Sequence, residues 1–140
     1  MAATLTLRVI TPESVALDEQ VQSVRLPGLD GSLGILPRHA HMIAGLETGI
    51  LLYTDASGRR KPLFVNGGFA EVQGGTVRVI TRAGELAEEI DEERARAAEK
   101  RARERLDAVR RDNLSDADVL KAELAMRRAI MRLRARSYLD

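Results

Sequence analysis

The sequence predicts a β-plus-α fold: an N-terminal antiparallel β-sandwich of about ten strands, followed by a C-terminal antiparallel two-helix hairpin. Three observations predict it. Apolar and polar residues alternate in short runs over the first 85 or so positions, at the period of a strand with one buried face. All 11 glycines and all four prolines lie at or before Gly84. Beyond that point the chain turns rich in Ala, Arg and Glu, and its apolar residues recur every three or four positions. The two parts are therefore bounded at 1–86 and 87–140.

The strands follow in order. Leu5, Leu7 and Val9 alternate with Thr4, Thr6 and Arg8, and near the other end Val77 and Val79 alternate with Thr76 and Arg78. Between them lie short apolar stretches at 21–26, 49–53, 62–65 and 69–72. Turn chemistry separates them: Thr11-Pro12, Pro27-Gly28, Asp30-Gly31, Ser57-Gly58, Asn66-Gly67-Gly68 and Gly74-Gly75. Many short strands at this spacing fit a sandwich or barrel better than a βαβ sheet.

The helices are expected at about 91–111 and 116–137. Asp91 caps the first, and Glu92 and Glu93 sit favourably at the positive end of its dipole. Ala95, Ala98, Ala102, Leu106 and Val109 share one face. Asp112-Asn113-Leu114 breaks the pattern, and Ser115 caps the second helix with Asp118 as an Asp variant of the capping box. Val119, Ala122, Met126, Ala129 and Leu133 form the second stripe. A seam so rich in Ala buries little per residue, on the order of 0.8 kcal/mol per CH₂-sized unit. Such a hairpin is marginal alone and depends on docking elsewhere, so it can change position; a hairpin packed permanently on the sandwich is the alternative.

Composition excludes whole classes of function. Without cysteine there are no disulfides, thiolate metal sites or cysteine nucleophiles. His39 and His41 are too few for a typical histidine metal cluster. Met1 to Val9 does not read as a signal peptide, and no run approaches the roughly 20 apolar residues of a membrane span. The expectation is a soluble chain whose membrane association goes through a partner. Aromatic content of 3% requires an aliphatic core. The net charge of +1 conceals an asymmetry, because residues 91–140 hold 14 basic and 11 acidic side chains.

Four segments carry a resemblance. Gly31-Ser32-Leu33-Gly34-Ile35-Leu36-Pro37-Arg38-His39-Ala40 resembles the G-x-L-G-x-x-P-x-H segment of the epsilon subunit of bacterial F-type ATP synthases. Asn66-Gly67-Gly68-Phe69-Ala70-Glu71-Val72 is similar to that family's second glycine-rich strand. Ile90-Asp91-Glu92-Glu93-Arg94-Ala95 resembles the I/L-D-x-x-R-A motif of members that bind ATP. Glu123-Leu124-Ala125 with Arg128 and Arg132 resembles the last helix. The four stand in the family's order, and the resemblance covers essentially the whole chain.

The resemblance implies a non-catalytic subunit of the rotating central stalk, on the cytoplasmic side of the bacterial plasma membrane and peripheral to it. The sandwich would contact the gamma subunit and the polar loops of the c-ring. The hairpin, when extended, would reach the alpha/beta catalytic head and inhibit ATP hydrolysis; folded down on the sandwich, it would release that inhibition. It further implies that Glu85, Ile90, Asp91, Arg94, Ala95 and, as a weaker candidate, Arg101 surround a regulatory ATP together with Arg128 and Arg132. Ser32, Arg38 and His39 would belong to the partner surface of the sandwich, and Arg127, Arg128, Arg132, Arg134 and Arg136 to the contact with the catalytic head. Ser32 stands where many members have Glu, and Arg38 where Gly is frequent.

The residues themselves allow plainer readings. Arg94 in a first helical turn opposes the dipole by roughly 0.3–1 kcal/mol, a cost that a phosphate would turn into a contact. Asp91 can accept from an adenine amine, or can simply cap its helix. The arginines can equally form a solvated face with i,i+4 partners. No phosphate-binding G-x-x-x-x-G-K-[ST] is present, so hydrolysis by this chain alone is not expected. Two rivals stand beside the stalk reading: a basic-hairpin nucleic-acid-binding module and a generic adaptor. The mixed charges and the scarcity of aromatics in the hairpin argue against nucleic acid.

Overall fold

A computed structural model describes residues 3–139; Met1, Ala2 and Asp140, which fall within the expected bounds, lie outside it. Seven strands alternate as the sequence suggests: β1 (Leu5–Ile10), β2 (Val15–Gly28), β3 (Gly31–Ile35), β4 (Met42–Asp55), β5 (Arg60–Gln73), β6 (Thr76–Ile80) and β7 (Gly84–Leu86). They pair in the order β1-β6-β5-β4-β2-β3, with β7 added to β5. A further β1–β2 pairing closes the order into a ring. All pairings are antiparallel except β1 with β6.

The expected ten strands are reached by halves. β2, β4 and β5 have 14 residues each, and the two ends of a strand meet different neighbours. β5 pairs with β7 over 63–65 and with β6 over 69–73. β2 pairs with β1 over 15–21 and with β3 over 24–28. Asn66-Gly67-Gly68, read from sequence as a turn, is instead a bend inside β5. Gly67 and Gly68 have φ of 67° and 99°, a conformation that glycine adopts freely whether the chain reverses or merely kinks.

The core is aliphatic, as composition requires. Leu7, Val9, Val21, Leu26, Leu51, Leu63, Val65 and Val79 are fully buried within it, with Tyr53 as its aromatic member. Burial first, and the charges of Glu19, Glu88 and Asp55 after it, push the Tyr53 phenol well above its ordinary range. At the β4–β5 turn the Asp55 carboxylate accepts from the Arg59 and Ser57 backbone N–H groups and the Ser57 hydroxyl. These bonds, led by that from Arg59, hold its pKa below the usual value.

After β7 a 3-10 turn, Ala87–Glu89, leads into α1 (Glu92–Arg111) and α2 (Asp116–Ser137). Asp91 caps α1 as expected, its Oδ1 accepting from Arg94 N–H at 3.1 Å. Asn113 in the left-handed region (φ 53°) ends α1. Its N–H reaches the Arg110 carbonyl and that of Leu114 the Val109 carbonyl, at 3.3 and 3.0 Å, which is a Schellman closure. Ser115 caps α2, accepting from Asp118 N–H at 3.3 Å, while its hydroxyl donates to the Asp118 carboxylate at 2.8 Å. Ala95, Ala102 and Val109 of α1 and Ala122 and Ala129 of α2 are buried along the interhelical stripe.

Arg38 carries φ of 68° in the loop after β3, which gives a physical reason for a glycine preference there. Arg38→Gly is expected to raise stability by about 0.5–1 kcal/mol, the relief of left-handed strain less the added chain entropy. A chemical denaturation midpoint that stays put or falls would contradict this.

Candidate nucleotide cleft and hairpin seam

The hairpin is folded against the sandwich, mainly through α2. The seam has a small apolar centre: Phe64 of β5 is fully buried with Ile90, Ala95 and Ala135, and Ile50, Ala83, Met131 and Leu133 pack around them. Phe64 sits on the outer face of its sheet, since its neighbours Leu63 and Val65 belong to the inner core. Positions 62–65 are buried without a break, as a strand covered on both faces is.

Arginines ring this centre. Arg132 lies 4.5 Å above the Phe64 ring centroid. Its Nη2 and Nε donate to the Glu85 carboxylate at 3.0 and 3.2 Å. Arg127 donates from Nε to the Thr48 carbonyl at 2.9 Å and from Nη2 to Glu47 Oε2 at 2.8 Å. Arg136 donates to the Ala87 carbonyl at 3.5 Å. These pairs are half-open to water and individually worth about 1 kcal/mol or less. Glu47 and Phe64 are seam residues that the sequence reading did not single out.

Beside the seam lies a cleft of about 370 Å³ where α1 starts. It brings together Glu85, Ile90, Asp91, Arg94, Ala95, Arg101 and Arg132, with Glu89 and Ala98 added to the expected set. Arg128 lines a separate groove, one helical turn away from Arg132. Arg94 and Arg101 are exposed and form no ion pair among the described residues. One oxygen of Asp91 is taken by its own helix, and Arg132 is taken by Glu85. A ligand would find two unpaired guanidiniums, a free carboxylate oxygen and the apolar floor of Ile90 and Ala95.

Of the other expected partner residues, Ser32 is exposed and its hydroxyl accepts from Arg25 at 3.1 Å. His39 is exposed, with Nδ1 2.7 Å from the Ala40 carbonyl. Arg38 and Arg134 are exposed, whereas Arg127 and Arg136 are engaged with the sandwich and the 3-10 turn.

Fold and seam together define a two-part module, a closed β-sandwich that serves as the dock for a helical hairpin. The comparisons with known proteins give the family. The model of the ATP synthase delta/epsilon chain β-sandwich domain matches residues 4–87, and that of its long α-helix domain matches 88–136. The ATP synthase epsilon chain of Symbiobacterium thermophilum is 45% identical over 99% of this chain and 96% of its own. That of Desulfitobacterium hafniense is 42% identical over 96% and 98%. A chain in the Euglena gracilis mitochondrial ATP synthase shares the fold, with TM-score 0.78 and 24% identity over 99% of this chain and 82% of that one. The chain belongs to the ATP synthase delta/epsilon chain family. It is a non-catalytic, peripheral part of an ATP synthase complex, and none of its described helices is long and apolar enough to cross a bilayer.

Proposed function

We infer that the chain is the central-stalk regulator of an F-type ATP synthase, one that couples rotation through its sandwich and restrains ATP hydrolysis through its hairpin. The sandwich seats on the gamma subunit and the c-ring loops, at the cytoplasmic face of a bacterial plasma membrane, with Ser32, Arg38 and His39 on that partner surface. The hairpin docked on the sandwich is the non-inhibiting state. The observation that carries this reading is the seam itself: a small apolar centre around Phe64 and three half-exposed arginine contacts can be exchanged for contacts with another surface at modest cost. On release, Arg127, Arg132 and Arg136 join the already exposed Arg134 as contacts for an acidic surface of the catalytic head, where charge complementarity steers docking.

ATP binds in the cleft at the start of α1 and holds the hairpin down. Arg94 and Arg101 take phosphate oxygens, Asp91 accepts from the adenine amine, and Arg132 links the ligand to Glu85. Calorimetric titration of ATP into the full chain tests this. Arg94→Ala is expected to weaken binding tenfold or more, as loss of a charge-assisted contact to phosphate does. Absence of heat with the wild type at millimolar ATP, or equal affinity in the variant, would leave Asp91 as a helix cap and Arg94 as a solvated cation.

A further inference from the structure

The outer sheet face that receives the hairpin extends beyond it. Ile50 of β4 and Phe64 of β5 pair directly beneath the seam. Two residues along, the same face continues through Leu52 of β4, Arg25 of β2 and Gly34 of β3, which are register partners in one row. The next row sets Ser23 of β2, Thr54 of β4 and Arg60 of β5 side by side. Val24, Leu26, Leu51 and Tyr53 alternate with these residues and point into the inner core.

The two rows form a groove of about 230 Å³ with no acidic residue in its lining. Arg25 and Arg60 are exposed, and neither forms an ion pair among the described residues. Asp55, the acid nearest to Arg60 in sequence, is already engaged by Lys61 and by the bonds of its own turn. Arg25 is held in place. Its Nη1 donates to the Ser32 hydroxyl at 3.1 Å, and a Cβ added at Gly34 would lie 3.6 Å from its Nη2. The guanidinium therefore lies across β3, and its other N–H groups have no partner among the described residues. Arg60 stands on the far side of β4. Neighbouring strands lie about 4.8 Å apart, so β2 and β5 are separated by about 10 Å. Half-buried Leu52 and the hydroxyls of Ser23 and Thr54 occupy the ground between the two arginines.

That spacing decides the ligand class. A compact oxyanion reaches one guanidinium, whereas two carboxylates joined by a short carbon chain reach both and lay the chain on Leu52. We propose that this groove binds a small polycarboxylate anion, one carboxylate on Arg25 and another on Arg60. The Ser23 and Thr54 hydroxyls donate to its remaining oxygens. No residue of the hairpin lines the groove, so the site does not depend on hairpin docking. It stands equally apart from the assignment of ATP to the cleft at α1.

Citrate, titrated into the isotope-labelled full chain and followed by NMR, tests it, with acetate at matched ionic strength as the single-carboxylate control. Citrate is expected to shift the amide signals of Arg25, Gly34 and Thr54 and to bind about tenfold or more tighter than acetate. Arg25→Ala and Arg60→Ala are each expected to weaken citrate about tenfold, as loss of one charge-assisted contact does. Arg94→Ala, which removes a cation from the cleft at α1, is expected to change it less than twofold. No shift of these amides at tens of millimolar citrate overturns the proposal, and so do equal affinities for citrate and acetate. Sensitivity to only one of Arg25→Ala and Arg60→Ala overturns the bridging of β4. Weakening by Arg94→Ala without weakening by Arg25→Ala assigns the anion to the cleft at α1 and overturns the proposal as well.

Discussion

Gly68→Ala is expected to abolish the folded sandwich or to cost more than about 4 kcal/mol. A Cβ at that position would lie 1.9 Å from the Ile80 carbonyl oxygen and 2.9 Å from its carbon. Both are backbone atoms of a paired strand and cannot turn aside. The φ of 99° adds strain that no L-residue relieves. The adjoining Gly67 provides the control. It too has positive φ, but a Cβ there meets nothing closer than 3.7 Å. Gly67→Ala should therefore cost only about 1–2 kcal/mol, the left-handed penalty alone. Thermal unfolding followed by circular dichroism reads both. Equal losses in the two variants would mean that β6 moves to accommodate the methyl group.

Phe64→Ala should release the hairpin while leaving the sandwich folded. The side chain is fully buried, yet it belongs to the seam and not to the inner core. Truncating a buried Phe costs about 3–5 kcal/mol, and here the loss falls on hairpin docking, along with the stacking of Arg132 on the ring. The half-exposed arginine contacts are too weak to compensate. Limited trypsin digestion gives the readout, since α1 and α2 are dense in arginine. Rapid cleavage of both helices with a surviving sandwich fragment is the expected result. A hairpin as resistant as in the wild type would show that arginine contacts alone keep it docked.

Much of this fold was legible in the sequence, for reasons that differ by element. The helices were fixed by caps whose chemistry acts locally: Asp91 and Ser115 each satisfy an N–H three residues on, so the reading needed no tertiary knowledge. The continuity of β5 was not legible. Asn66-Gly67-Gly68 supplies positive φ, and whether that reverses a chain or bends it depends on what pairs alongside; here β4 stays paired with β5 on both sides of the bend. The cleft at α1 drew together the residues of one sequence motif with Glu85 and Arg132. Arg128 went elsewhere, because a residue's place on a docked helix depends on the rotation of that helix. Glu47 and Phe64 were hidden for a related reason. A glutamate in a strand and a Phe in an apolar run have no local signature for the helix that will cover them.

The central claim is that the docked hairpin is the non-inhibiting state. The chain contains no cysteine, so a pair introduced as Glu47→Cys and Arg127→Cys, whose side chains meet at 2.8 Å across the seam, can be joined by a short cleavable thiol cross-linker without competing reactions. The measurement is ATP hydrolysis by an ATP synthase head and stalk assembled with this variant. Hydrolysis at the uninhibited rate while the link is intact, falling when it is cleaved, is the predicted result. A linked hairpin that inhibits as strongly as a free one would contradict the account.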